Sequence, residues 1–140
     1  MKKQLQPTPV IYEVYERVEI PEYLIEEALC RNLEVIEEGL KLAGRQVSMP
    51  GIGRVDILAY DLNGNPVVIE VKSGTADDQS LTQLLAYMAG VEAEKGKRAR
   101  GIIVAENFTR RLIQASKRIS DVKLVKITVD VRVNKVEEYS

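Results

Sequence analysis

Val67-Val68-Ile69-Glu70-Val71-Lys72 is the stretch from which the rest of the 140-residue chain can be read. Its apolar, β-branched run, bounded by Pro66 and by Ser73-Gly74, predicts a buried strand. Side chains alternate along a strand, so Glu70 and Lys72 share one face and Val71 points to the other. A carboxylate and an ammonium in so apolar a run are expected to be paired, to hold a metal or to do chemistry.

Upstream, Asp61-Leu62-Asn63-Gly64-Asn65 contains the Asn-Gly pair that favours a tight hairpin, which predicts an antiparallel strand over 54–60. Asp56, Leu58 and Tyr60 share one side of that strand, and the hairpin brings Asp56, fourteen positions before Glu70, close to it. A further strand over 45–49 joins through Pro50-Gly51-Ile52-Gly53. Before it, 33–42 is expected to be helical or turn, with Gly39 and Gly44 as breaks. Pro21 suits the start of a helix over 22–31, whose Leu24, Ile25, Ala28 and Leu29 fall at helical spacing. Alternation of Val10, Tyr12, Val14, Val18 and Ile20 suggests an extended ribbon over 10–20, behind a loose arm over 1–9.

Downstream, Thr75 is the expected N-cap of a helix reaching 94, with Asp77 and Asp78 in its positive first turn. Leu81, Leu84, Leu85, Met88 and Val91 would form its buried stripe. The apolar run 101–105 is then a strand parallel to the first, reached by a right-handed crossover. A helix over 109–119 and a strand over 122–129 repeat the unit, and 130–139 is expected to add another strand. The result is one α/β domain over 1–140, a central mixed sheet flanked by helices, with its core over 22–127.

Composition narrows the chemistry. A chain 45% hydrophobic and 29% charged fits a globular fold, and its length suits one domain. No apolar stretch approaches the ~20 residues that span a bilayer, and no signal-type segment follows Met1, so a cytoplasmic protein is expected. With no His and only Cys30, the chain has no Cys/His zinc site and no His-based triad. General acid and base work therefore falls to Asp, Glu, Lys or Tyr. Cys30, within a helix, is expected to act as a small buried hydrophobe.

The net charge of -1 hides an asymmetry: residues 1–44 hold 5 basic and 9 acidic side chains, residues 45–140 hold 15 and 12. Basic residues cluster at Lys95, Lys97, Arg98 and Arg100, at Arg110 and Arg111, and at Lys117 and Arg118. Such clusters serve as solvated faces or as phosphate contacts.

Hard cations such as Mg²⁺ and Mn²⁺ prefer carboxylate, carbonyl and water oxygens, and Mg²⁺ takes few protein ligands. Asp56 and Glu70 supply two carboxylates, and the Val71 carbonyl offers a third oxygen. Lys72 would stabilise charge on a pentavalent transition state or orient an attacking water. The competing reading is a Glu70–Lys72 ion pair packed at a sheet end. Gln83 and Tyr87, four apart on the following helix, share a face that looks back at the sheet or out to solvent.

Taken together, Gly53-Arg54-Val55-Asp56, the run ending in Glu70-Val71-Lys72, and Gln83-Leu84-Leu85-Ala86-Tyr87 resemble the motifs of the PD-(D/E)XK nuclease superfamily. The resemblance is closest to the C-terminal catalytic domain of NucS/EndoMS-type endonucleases and more distant to RecB-like nucleases. The segment from Asn32 to Leu40 resembles the Asn-Pro-x-x-Ile-Glu-x-Gly element ahead of that family's active site, with Leu33 in place of Pro. The resemblance implies a restriction-endonuclease-like fold. It makes Asp56 and Glu70 metal ligands, Lys72 the catalytic lysine, and Gln83 and Tyr87 active-site helix residues. It also implies an acidic residue on the first helix, assigned to Glu22 with Glu26 and Glu27 as neighbouring alternatives, and a phosphate contact at Arg54.

The expected activity is a Mg²⁺- or Mn²⁺-dependent DNA endonuclease, of the kind used in DNA repair. Lys95, Lys97, Arg98, Arg110 and Arg111 are candidate nucleic-acid contacts. NucS-type enzymes carry a separate N-terminal domain implicated in dimerisation and DNA binding, and about twenty residues precede the motifs here. The expectation is a catalytic core that gains DNA contacts from a partner or as a homodimer, through 10–20 or 131–136, unless those segments close its own sheet. The alternatives are a DNA- or protein-binding module of the same fold with weak or partner-dependent cleavage, and a metal phosphohydrolase of small substrates.

Overall fold

The computed structural model describes residues 19–130 and 133–136. Pro21 stands immediately before helix α1 (Glu22–Arg31), which buries Ile25, Glu26 and Leu29 on one side. One tight turn (Leu33–Val35) follows. The chain then enters strand β1 (Lys41–Met49), earlier than expected: Gly44 does not break the strand but sits at a register shift between Leu42 and Gly44. A glycine inside a strand commonly marks such an irregularity.

Strands β2 (Gly53–Tyr60) and β3 (Pro66–Val71) are joined by the predicted hairpin. Asp61 Oδ1 holds its tip by accepting from the amides of Asn63 and Asn65, each at 2.9 Å. β3 is buried along its whole length, which explains why its sequence is continuously apolar rather than alternating.

Beyond β3 one prediction needs correction. Thr75 does not cap the next helix; it lies in the short strand β4 (Thr75–Ala76). Helix α2 (Asp78–Lys95) is capped by Asp77, whose carboxylate accepts the Gln79 amide at 3.0 Å. The cap moves because Thr75 and Ala76 pair in parallel with β6 (Asn107–Phe108), which follows β5 (Arg100–Ala105). Leu81, Leu84, Met88 and Val91 form the buried stripe of α2, whereas Leu85 is 36% exposed at its edge. Helix α3 (Arg110–Ser116) is capped by the Thr109 hydroxyl, which accepts from the Leu112 amide at 3.2 Å, and leads to β7 (Val122–Lys126). Both are shorter than predicted.

The main sheet runs β1-β2-β3-β5-β7. Its first three strands are antiparallel and the remainder parallel, as the hairpin and the two helical crossovers require. Side chains Ile57, Val67, Ile69, Val71, Ile102 and Val104 pack against Ile25 and Leu29 of α1. Val68, Ile103 and Ala105 pack against Leu84, Met88 and Val91 of α2 and Leu112 of α3. Gly101 lets α2 sit close on β5: a Cβ there would meet Met88 Sδ at 2.5 Å. The sheet is thus covered on both faces, and its functional residues must emerge at an end.

Among the described residues no helix is long and apolar enough to cross a membrane. The arm over 1–9 lies outside the described residues, as do most of the ribbon over 10–20 and much of the tail over 130–139. The parts that are described form no strand.

Candidate active site

The pairing of β2 with β3 stops at Ile57 opposite Ile69. One step further, Asp56 would oppose Glu70, but here the strands part. Asp56 takes over the ladder with its side chain: Oδ2 accepts the Val71 amide at 2.9 Å. The alternation of faces along β2 is also broken here, because Val55 and Ile57, two apart, belong to opposite core layers. Asp56 is left half-buried at the opened end of the sheet, facing Glu70.

Glu70 is 3% exposed and its Oε1 has no hydrogen-bond partner among the described residues. Burial and then the Asp56 charge push the Glu70 carboxyl up to about 8, with the Lys72 ammonium pulling the other way. The two carboxyls are near enough for one to share a proton with the other, which raises Glu70 further. Burial likewise raises Asp56, the Val71 amide opposes it, and the charges of Glu26 and Glu22 add to the rise. Two neighbouring carboxyls that are both raised, Glu70 in part by the Asp56 charge, are a pair whose charges a cation would compensate.

Lys72 does not supply that charge by direct pairing. It makes no ion pair among the described residues, and its amide donates to Val104 O at 2.9 Å. It lines a polar cleft of about 250 Å³ together with Glu22, Ser73, Asp77, Ser80 and Gln83. The structure therefore brings Glu22, Asp56, Glu70, Lys72 and Gln83 to one end of the sheet. Tyr87, one turn beyond Gln83, is half-buried, and its hydroxyl abuts Gly53. A Cβ at Gly53 would lie 2.8 Å from that oxygen, and φ there is +145°, so glycine is required on both counts. This joins two of the motifs physically.

On α1, Glu22 and Glu26 share a face, one turn apart. Glu22 Oε1 accepts the Ser73 amide at 3.3 Å. Glu26, 3% exposed, accepts from Arg45 Nε at 3.1 Å and from Gln46 Nε2 at 2.8 Å. Glu27 instead pairs with Arg31 on the outer surface at 3.0 Å. Glu22 and Glu26 thus both lie at the end of the sheet that carries Asp56, and the charge of each acts on it. Gln46 escaped the sequence reading, although counting back through Pro50-Gly51-Ile52-Gly53 places it opposite Asp56. Cys30 is half-buried against the α1 core layer, and burial raises its thiol.

The basic residues divide between the two ends of the sheet. Lys97 Nζ reaches Gly64 O at 3.5 Å at the hairpin tip, Lys95 lies over the Tyr60 ring at 5.8 Å, and Arg98 pairs with Asp121 at 2.6 Å. These three stand at the end remote from Asp56 and Glu70. Arg110 and Arg111 open α3, just after β6, at the site end. Arg110 is exposed, and Arg111 pairs with Asp78 at 3.2 Å. Arg54, in β2 next to Gly53, is also exposed at this end. Arg100 is structural, bound to Glu37 at 2.6 Å and Asp61 at 3.3 Å.

The donor set fits a hard divalent cation: an orphaned carboxylate oxygen beside a second carboxylate. No cluster of three or more Asp, Glu or Cys side chains suited to a metal occurs among the described residues. Asp56 and Glu70 are the two carboxyls that face each other at this end of the sheet, and Mg²⁺ commonly takes one or two carboxylates while keeping waters.

Comparison with known proteins agrees with this fold. The family model described as the endonuclease NucS C-terminal domain matches residues 21–136. Endonuclease NucS of Pyrococcus furiosus is 40% identical over 83 residues, 59% of this chain and 31% of that protein. Endonuclease NucS of Pyrococcus horikoshii is 36% identical over 104 residues, 73% of this chain and 41% of that protein. Among solved structures, an EndoMS–double-stranded DNA complex superposes with TM-score 0.72 at 31% identity, covering 86% of this chain and 51% of that one. A repair endonuclease from Pyrococcus abyssi superposes with TM-score 0.70 at 30% identity, covering 81% and 49%. The chain spans about a third to two fifths of the length of these curated relatives.

Proposed function

Because the chain belongs to the endonuclease NucS C-terminal domain family, we propose that it hydrolyses phosphodiester bonds in DNA with the help of Mg²⁺ or Mn²⁺. The observation that carries this reading is the orphaned Glu70 Oε1 beside Asp56, in a pocket that raises both carboxyls. Relatives bearing the name endonuclease and a neighbour solved with double-stranded DNA support the substrate class.

Asp56, Glu70 and the Val71 carbonyl would hold the cation. When bound, it supplies Lewis acidity toward a phosphate oxygen and lowers the pKa of a coordinated water. Asp56 is oriented for this task by the Val71 amide on Oδ2, with the Gln46 carboxamide at a longer 3.4 Å from Oδ1. Lys72, free of ion pairs among the described residues, projects its ammonium into the cleft where phosphate charge develops. Gln83, across the cleft, donates from its carboxamide to a phosphate oxygen or positions a water. Tyr87, one turn beyond Gln83, is braced against Gly53 on the β2 side. Glu22 presents a carboxylate at the cleft rim, oriented by the Ser73 amide.

The test is cleavage by the purified chain, with Mn²⁺ and without it, of single-stranded, branched and mismatched DNA. Cleavage in Mn²⁺ that Glu70→Gln and Lys72→Ala each reduce at least ~100-fold is expected, the scale of losing a group that stabilises transition-state charge. Tight, metal-independent binding left unchanged by both substitutions would instead identify a binding module.

A further inference from the structure

Gln46 is the one residue other than glycine with positive φ among the described residues, at +51°. A side chain with a Cβ is uncommon in this left-handed region, and such strain persists only where surrounding interactions over-determine it. It falls inside β1, between two regular pairs, Arg45 opposite Ile57 and Val47 opposite Val55. By that register Gln46 lies directly across from Asp56, yet the two make no ladder pair. The twisted backbone turns the Gln46 side chain along the sheet end instead. There Nε2 donates to Glu26 Oε1 at 2.8 Å and, at a longer 3.4 Å, to Asp56 Oδ1.

The neighbours reinforce this arrangement. Arg45 donates to the same Glu26 oxygen at 3.1 Å and to Tyr23 O at 2.7 Å, so α1 is tied to β1 at this point. Asp56 is then gripped from two sides: the Val71 amide holds Oδ2 at 2.9 Å and the Gln46 carboxamide approaches Oδ1. A simple surface glutamine in a strand would need neither the strain nor the two acidic partners.

We infer that Gln46 is a positioning residue of the metal site: its strained backbone holds the carboxamide as a bridge between Glu26 and Asp56, which fixes the Asp56 carboxylate for the cation. The inference rests on the metal reading above. Hydrogen-bond partners behind a metal ligand typically contribute 10–100-fold in affinity or activity.

The experiment uses the full chain and Mn²⁺ alone, titrated calorimetrically without DNA, alongside thermal unfolding in metal-free buffer. Gln46→Met keeps the length of the side chain and the strained backbone but removes the donors. Gln46→Gly removes the donors and the strain together. Both variants are expected to bind Mn²⁺ about 10-fold more weakly, and Gln46→Gly is expected to do so with the smaller loss of thermal stability of the two. Wild-type affinity within twofold in either folded variant would overturn the inference while leaving the metal site itself intact. Wild-type protein whose Mn²⁺ binding is indifferent to Asp56→Asn would overturn the metal reading and this inference with it. Should Gln46→Met fail to fold, Gln46→Gly decides alone, since it relieves the backbone.

Discussion

At Glu70 the requirements of folding and of function pull in opposite directions. A buried carboxylate without a partner costs stability, and here burial and Asp56 push its carboxyl up to about 8. The metal-free folded chain therefore holds a proton at Glu70 that the unfolded chain releases in the ordinary carboxylate range. Stability from this group is full below that range and is lost as pH rises through about 8. Urea unfolding of the metal-free protein at pH 6 and pH 8.5 is expected to show wild type weakening at the higher pH, while Glu70→Gln changes far less. At pH 8.5 the variant should be the more stable by ~1–3 kcal/mol, the cost of a buried unsatisfied group, and Mn²⁺ should remove that advantage. A variant less stable than wild type at both pH values would refute the account.

Among the elements, the segment between α1 and β1 shows how the sheet is anchored at the end remote from the site. Glu37 accepts from Arg100 Nη2 at 2.6 Å and from Lys123 at 3.1 Å, linking this segment to β5 and β7. The Arg100 hydrogen bonds hold the Glu37 carboxyl down at about 2, against partial burial. The sign is opposite to that of Glu70. The stabilisation is present above the ordinary carboxylate range and is lost as pH falls toward about 2. Glu37→Gln should cost ~1 kcal/mol at pH 6, as expected for a partly exposed ion-pair network. In urea titrations the gap to wild type should close as pH approaches 2.5; a gap that persists there would assign the loss to packing instead. Arg100 also bonds Asp61, so a residue in a basic cluster that resembled a phosphate contact in sequence is committed to holding the hairpin.

For the molecule as a whole, the proposed activity makes the placement of charge on the two ends of the sheet a test of where DNA would lie. Arg110→Ala, at the site end, is expected to weaken DNA binding and to lower the slope of log affinity against log salt by about 1, whereas Lys97→Ala, at the hairpin end, leaves both unchanged. Equal effects of the two substitutions in salt-dependent fluorescence anisotropy would place the DNA elsewhere. The central strands, the hairpin and helix α1 were legible because their signals are local: an apolar run, an Asn-Gly turn, Pro21 before helical spacing. Asp56, Glu70 and Lys72 could be grouped because alternation and the hairpin fix their faces, whereas Gln83, on a helix, joined them only through the family resemblance. Thr75 was misread because its partner Asn107 lies far along the chain, and only the fold reveals that pairing. Gln46 was missed because a left-handed residue inside a strand has no local sequence signal, although the register that sets it opposite Asp56 could be counted. The amide that Val71 donates to Asp56 is, finally, a built-in spectroscopic reporter. Its proton is donated to a side-chain carboxylate rather than to a carbonyl of the ladder, so its chemical shift and its exchange with deuterium should follow every reorientation of that carboxylate. One backbone resonance would then register whether the site is poised, without any substrate being present.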